Sequence, residues 1–302
     1  MRYRALIRRP ACLRTLLREK DGTERMAYKL LSRRELFKFR SLATDKHVEW
    51  VRQIIEESQL YFPAPFELND PWDCKVRFRV PRPENAAEFD QAVHYLLGVD
   101  RRNNPAKSEA TFAAEEAKLR SDPAFAMRLF NELTSEMHNT VNTKFRICSF
   151  ASVCDHPLLW SHYADAHRGI CLVFSAERTE FGYAERVGYQ RTYPSVPLYG
   201  DGGRELVIAC FLTKASYWSY EYEYRIVAPG NLHEGPYATK LSADGKWTFQ
   251  ERDLIGVIYG CQIADDRRAQ FEAMLAKRQS PVGRVRAFRG EDRYAMRFER
   301  LA

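Results

Sequence analysis

Lys144-Phe-Arg-Ile-Cys-Ser-Phe-Ala151 decides the fold class, because here the text turns from helical to extended. Upstream, residues 84–143 are rich in helix formers and poor in strand signals, with breaks at Asn103-Asn-Pro105 and Ser121-Asp-Pro123. They predict three helices, at about 86–97, 106–120 and 123–142, with Asp122 capping a helix that starts at Pro123. Downstream, strands are expected at 145–151, 169–175, 184–190, 222–228, 254–260, 283–289 and 294–300, with helices near 203–213 and 265–278. Before the helical stretch, Thr44 caps a helix over 45–58 whose Val48, Val51, Ile54 and Ile55 share one face. Leu60-Tyr-Phe is a short strand, Pro63 to Pro71 is loop, and Val76, Phe78 and Val80 alternate as in a half-buried strand. The class is α+β: a largely antiparallel sheet with packed helices and a helical insertion at 84–143, in one domain spanning 26–302.

The 302 residues are 45% hydrophobic and 29% charged, which suits a chain with a sizeable core and excludes a disordered one. No run approaches the roughly 18 apolar residues of a membrane span, and the first 25 residues hold no apolar h-region. Seven scattered cysteines read as reduced thiols, so a cytoplasmic protein is expected. The net charge of +7 is uneven: residues 1–40 carry 13 Lys/Arg against 4 Asp/Glu, and residues 267–302 carry 10 against 4. Two basic ends suit a polyanion, or simply a solvated surface. Residues 1–25 are a basic N-terminal arm or the product of an upstream start, since Met26 opens the domain-like text.

Three places concentrate side chains with chemistry. In Asn69-Asp70-Pro71-Trp72-Asp73 the residue types fit a binding loop, or an Asx–Pro turn. Between Cys148 and Cys171 lie three cysteines and three histidines, but there is no C-x2-C pair and Cys148 and Cys171 sit in apolar strand text. No metal is therefore expected. With 157–166 helical, Trp160, His162 and Tyr163 wall a pocket for a flat ring and Tyr163 stands above His167. The alternative is aromatic packing on the sheet. The third place is Tyr217-Trp-Ser-Tyr-Glu-Tyr-Glu-Tyr-Arg-Ile-Val227, where a period of two sets Glu221, Glu223 and Arg225 on one face. Two carboxylates about 7 Å apart are costly to bury without a task. On a surface, Arg225 would simply bridge them.

Several of these segments, together with Phe37-Lys-Phe-Arg-Ser41, Leu60-Tyr-Phe-Pro-Ala-Pro-Phe-Glu-Leu-Asn-Asp-Pro-Trp-Asp73, Leu159-Trp-Ser-His-Tyr-Ala-Asp165 and Lys214, resemble the bacterial family catalogued as domain of unknown function 2971. The resemblance runs from about residue 35 to 263 and implies a role in defence, such as antiviral defence, or in stress response. Arg40, then Ser149, then Glu221-x-Glu223 also resembles the layout of the ADP-ribosyltransferase superfamily, whose sheet is split. That likeness implies NAD as substrate, held without a Gly-rich Rossmann fingerprint. Glu223 would hold the ribose hydroxyl and stabilise an oxocarbenium-like sugar, and Glu221 would orient or deprotonate a protein or nucleic-acid acceptor. Arg40 would pair with a diphosphate oxygen or ribose, and Ser149 would position Glu223. Trp160, His162 and Tyr163 would stack on nicotinamide, with Asn69 and Asp70 as further dinucleotide contacts. Two other classes remain open: a nuclease using Asp70, Asp73, His162 and Glu223, and a non-enzymatic nucleotide- or partner-binding domain. The oligomeric state is not encoded in any of these features.

Overall fold

The computed structural model describes residues 35–177, 179–199, 203–229, 241–242 and 244–301. The basic arm over 1–25 lies outside the described residues. In chain order the strands are β1 (Glu35–Arg40), β2 (Gln59–Tyr61), β3 (Arg77–Arg79), β4 (Phe145–Ala151), β5 (Ile170–Ser175), β6 (Glu185–Arg186) and β7 (Gly188–Gln190). They continue as β8 (Ser195–Pro197), β9 (Thr213–Ala215), β10 (Glu223–Pro229), β11 (Lys246–Thr248), β12 (Leu254–Tyr259), β13 (Gly283–Arg289) and β14 (Met296–Arg300). The fold is α+β, and the chain forms two compact units.

Among the described residues, the first unit holds those up to Pro63 with Arg146–Val187 and those from Tyr217 onward. Its eight-stranded sheet has the order β14-β13-β12-β5-β1-β4-β10-β6. β1 is antiparallel to β5, with Arg40 opposite Ile170, and to β4, with Phe37 opposite Ala151. β12 and β13 are parallel, so the chain crosses over between them through the helix Asp265–Leu275. All six residues of β5 are buried, as a strand covered on both faces requires.

Alternation along each strand sorts side chains into two cores. One face carries Leu36, Phe150, Leu172 and Phe174, covered by Val51, Ile54 and Ile55 of the helix Asp45–Glu56. The Thr44 side chain accepts from the His47 N–H and caps that helix, as its sequence predicts. The other face carries Phe37, Phe39, Val173 and Val285 under Leu159 and Trp160. Each such aromatic contributes about 1.5–3 kcal/mol by leaving water.

The second unit comprises Ala64–Phe145 and Gly188–Ser216. The expected helical stretch lies within it, as helices Ala86–Asn103, Glu109–Ser121 and Pro123–Lys144. Asn85, Ser108 and Asp122 each cap a start by accepting a backbone N–H three residues on. β3 pairs with β8 and β7 with β9, both in parallel.

Several boundaries differ from expectation; the helix expected over 86–97 runs on to Asn103, and three further differences have a visible cause. The strand expected over 184–190 divides: β6 pairs with β10, while β7 pairs with β9. The last strand starts at Met296 because Gly290 N–H binds the Ala295 carbonyl and closes a turn first. The first helix stops at Glu56, and Ser58 then takes a left-handed φ of 52°. Among the described residues no helix is long and apolar enough to cross a membrane.

Candidate active site

Glu221 does not lie on the strand that the alternation predicts. It ends a 3-10 segment, Ser216–Glu221, and β10 begins only at Glu223. Between them Tyr222 adopts φ 48°, a conformation uncommon outside glycine, and its ring stays exposed. This one twisted residue re-aims the chain so that Glu221 and Glu223 are both buried, at 5% exposure each. Arg225 is buried more deeply still, at 1%. The surface ladder is thereby replaced by a buried ion pair: Arg225 Nε donates to Glu223 Oε1 at 2.7 Å, and Nη2 to Oε2 at 3.1 Å. Such a forked pair fixes the carboxylate in orientation as well as charge.

Glu221 accepts a hydrogen bond from the Tyr163 hydroxyl. Burial, and then the Glu221 charge, push the Tyr163 phenol above its ordinary range, so it stays a donor. Tyr163 is the last residue of the short helix Pro157–Tyr163. Around this pair stand rings from two segments. His162 lies 6.3 Å from Tyr163 and 6.1 Å from Tyr220, and His156 stacks on Tyr220 at 5.5 Å and 27°. Trp218 is 6.1 Å from Tyr220.

His156 is a member that sequence reasoning missed. Burial lowers its pKa, with Asp155 opposing, and its Nδ1 is buried without a hydrogen-bond partner. Its signal in the sequence was the Asp-His-Pro start of a helix, which reads as punctuation rather than chemistry.

The helix expected over 157–166 stops early because Asp165, Ala166 and His167 all take left-handed φ values. Tyr163 therefore does not stand above His167. His167 instead stacks on Trp160 at 6.4 Å and 14°, and its Nε2 meets Ser161 Oγ at 3.1 Å. Trp160 is fully buried, edge-on to Phe39, with its indole N–H on the Cys154 carbonyl at 2.7 Å. It is a core residue and offers no face to a ligand. Gly169 ends the turn where a Cβ would lie 2.2 Å from the Arg40 carbonyl oxygen, so only glycine lets this turn close on β1.

β1, β4 and β10 are adjacent, so Arg40, Ser149 and Glu223 lie on neighbouring strands. Their side chains nevertheless divide between the faces. Arg40 is opposite Ile170, on the face of Leu172 and Phe150. Ser149 alternates with Cys148 and Phe150 and so belongs to the other face, as do Glu223 and Arg225, which alternate with Ile226 and Ala228. The structure thus groups Glu221, Glu223, Tyr163 and His162 and sets Arg40 across the sheet from them.

Asn69 and Asp70 belong to the second unit. Asn69 is exposed, while buried Asp70 accepts the Trp72 N–H at 2.9 Å, an Asx turn. Nearby, buried Asp73 and Lys214 form an ion pair at 3.6 Å. Among the described residues no three His, Cys, Asp or Glu side chains converge as a metal centre requires. A scan against protein-family models, a search of curated proteins and a search of solved structures each gave no match to this chain.

Proposed function

We propose that this chain is an NAD-consuming enzyme of the ADP-ribosyltransferase kind, working in the cytoplasm, with Glu221 and Glu223 as its reactive acids. The observation that carries the reading is the pair of buried Glu221 and half-buried Tyr163, beside the Tyr220 and His162 rings and the His156 ring stacked on Tyr220. A hydrogen bond from a phenol orients a carboxylate, which suits a group that must face a developing cation. The half-buried His156 and Tyr220 rings and the exposed His162 ring suit a flat pyridinium. In the reaction the bond between ribose C1′ and the nicotinamide nitrogen breaks, and neutral nicotinamide leaves with the bonding pair. The oxocarbenium-like sugar is stabilised by the fixed negative charge of Glu221, with Glu223 held beside it by Arg225. The attacking oxygen or nitrogen of the acceptor loses its proton to a carboxylate or to solvent, which balances the transfer. Protein, nucleic acid and water all satisfy that chemistry. The resemblance to domain of unknown function 2971 adds the defence or stress setting.

The test is nicotinamide release from NAD, measured chromatographically with and without cell extract. Wild-type protein should release nicotinamide, and Glu221→Gln should cut the rate by about 100-fold or more, the order seen when one transition-state charge partner is lost. Release undiminished in Glu221→Gln, with Glu223→Gln also active, would sink the assignment. No release from the wild type would favour binding without turnover.

A further inference from the structure

Lys38 and Arg40 are two residues apart on β1, so both side chains leave the same face of the sheet, the face of Leu172 and Phe150. The Lys38 ammonium donates to the Ser149 carbonyl at 2.8 Å and lies 4.9 Å from the Phe150 ring centre. Both partners are uncharged. Arg40 buries its Nε–H with no acceptor at all. Among the described residues no carboxylate forms an ion pair with either cation. Burial pushes both side chains below their ordinary pKa; the neighbouring Cys148 opposes this, and for Lys38 Glu223 contributes last, from across the sheet. Two cations drawn out of water without a countercharge are costly, and a single change of residue would relieve that cost. Arg40 as a residue keeps partial exposure, although its Nε is buried.

We propose that Lys38 and Arg40 form an oxyanion site of the phosphate class, on the face of the sheet opposite the Glu221–Glu223 centre. A planar guanidinium fork engages two oxygens of one phosphate, and the ammonium supplies a point charge beside it. The unfilled Nε–H donor then gains its acceptor. The inference is independent of NAD cleavage, and Arg40 on this face serves an anion without reaching the carboxylates.

The full chain is to be titrated with inorganic phosphate, pyrophosphate and adenosine monophosphate, at constant ionic strength set with sodium chloride, while its melting temperature is followed. A saturable rise of a few degrees is expected for the wild type. Arg40→Gln should abolish the rise while leaving the ligand-free melting temperature equal or higher, because an uncompensated charge has gone. Lys38→Met should weaken the response about tenfold, and Glu221→Gln should retain it. A response to the nucleotide alone assigns the phosphate to a nucleotide, and a response to all three assigns it to the free anion. A wild-type shift no larger than sodium chloride gives, or an equal shift in Arg40→Gln, overturns the site.

Discussion

The two faces of β1, β4 and β10 handle charge in opposite ways. On one face Glu223 is gripped by both prongs of Arg225, and Glu221 next to it takes a phenolic hydrogen bond. On the other, Lys38 meets a carbonyl and a ring, and Arg40 keeps an unused donor. The same three strands thus build a compensated site and an uncompensated one, separated by the thickness of a sheet. Charge type is assigned by residue parity, since a strand sends alternate side chains to opposite sides. A compensated pair gives rigidity. An uncompensated one leaves a field for something else to fill.

The contrast is broken most forcefully at Glu223–Arg225. Glu223→Gln or Arg225→Met alone should cost about 3–5 kcal/mol, since each breaks a buried ion pair from one side, whereas the double variant should regain much of that loss. Denaturant unfolding of all four proteins measures the coupling, and additive losses would mean the pair is not a unit. Tyr163→Phe should cost about 1.5–3 kcal/mol, the range for a hydrogen bond to a charged group, without the rescue a double variant gives at the ion pair. If the proposed reaction holds, the same change also lowers nicotinamide release, so stability and rate are to be read together.

A third experiment uses pH. His156 has its pKa lowered from 6.5 by burial, so above that value both the folded and unfolded states leave it neutral. As pH falls through 6.5, the unfolded chain takes up a proton that the folded one refuses, and stability declines until the lower folded pKa is reached. Half-buried His167, its pKa also lowered by burial, adds a slope of the same sign. Asp155, raised by burial, works in the other direction, at pH values above its ordinary 3.8. His156→Phe keeps a ring against Tyr220 and should flatten part of the loss around pH 6.5 in melts taken at several pH values. An unchanged slope would place the proton uptake elsewhere. Least affected should be Arg52→Ala. Its partners Glu49, Glu56 and Glu57 lie on the surface, and the change should cost under about 1 kcal/mol. A larger loss would show that position and not burial sets the scale.

Much of the fold was legible because local signals agreed. Asp122-Pro123 starts a helix by both cap and fixed φ, and the Val48, Val51, Ile54 and Ile55 stripe can face only a core. β8, β9 and β11 have three residues each, too few for a period of two to be visible. At the site the text Glu221-x-Glu223-x-Arg225 drew attention to three side chains that the structure buries. It missed the backbone that brings them there, since nothing in Tyr222 announces a left-handed residue. Chain order placed Arg40, Ser149 and Glu223 on adjacent strands, yet order alone carries no information about which face each strand turns to a neighbour. That depends on pairings such as Arg40 with Ile170, fixed only by tertiary packing.

The central position of β1 sets a timetable for synthesis. Its partners are Ala151 on one side and the whole of β5, through Ser175, on the other. At roughly 5–20 residues per second, β1 waits roughly 6–22 s on the ribosome before β4, the first of its neighbours, exists. β12 must then close on β5 from a still later segment. During that interval a strand reading Leu-Phe-Lys-Phe has neither partner, and Lys38 and Arg40, alternating with its aromatics, are charges of the kind that disfavour pairing with other open edges.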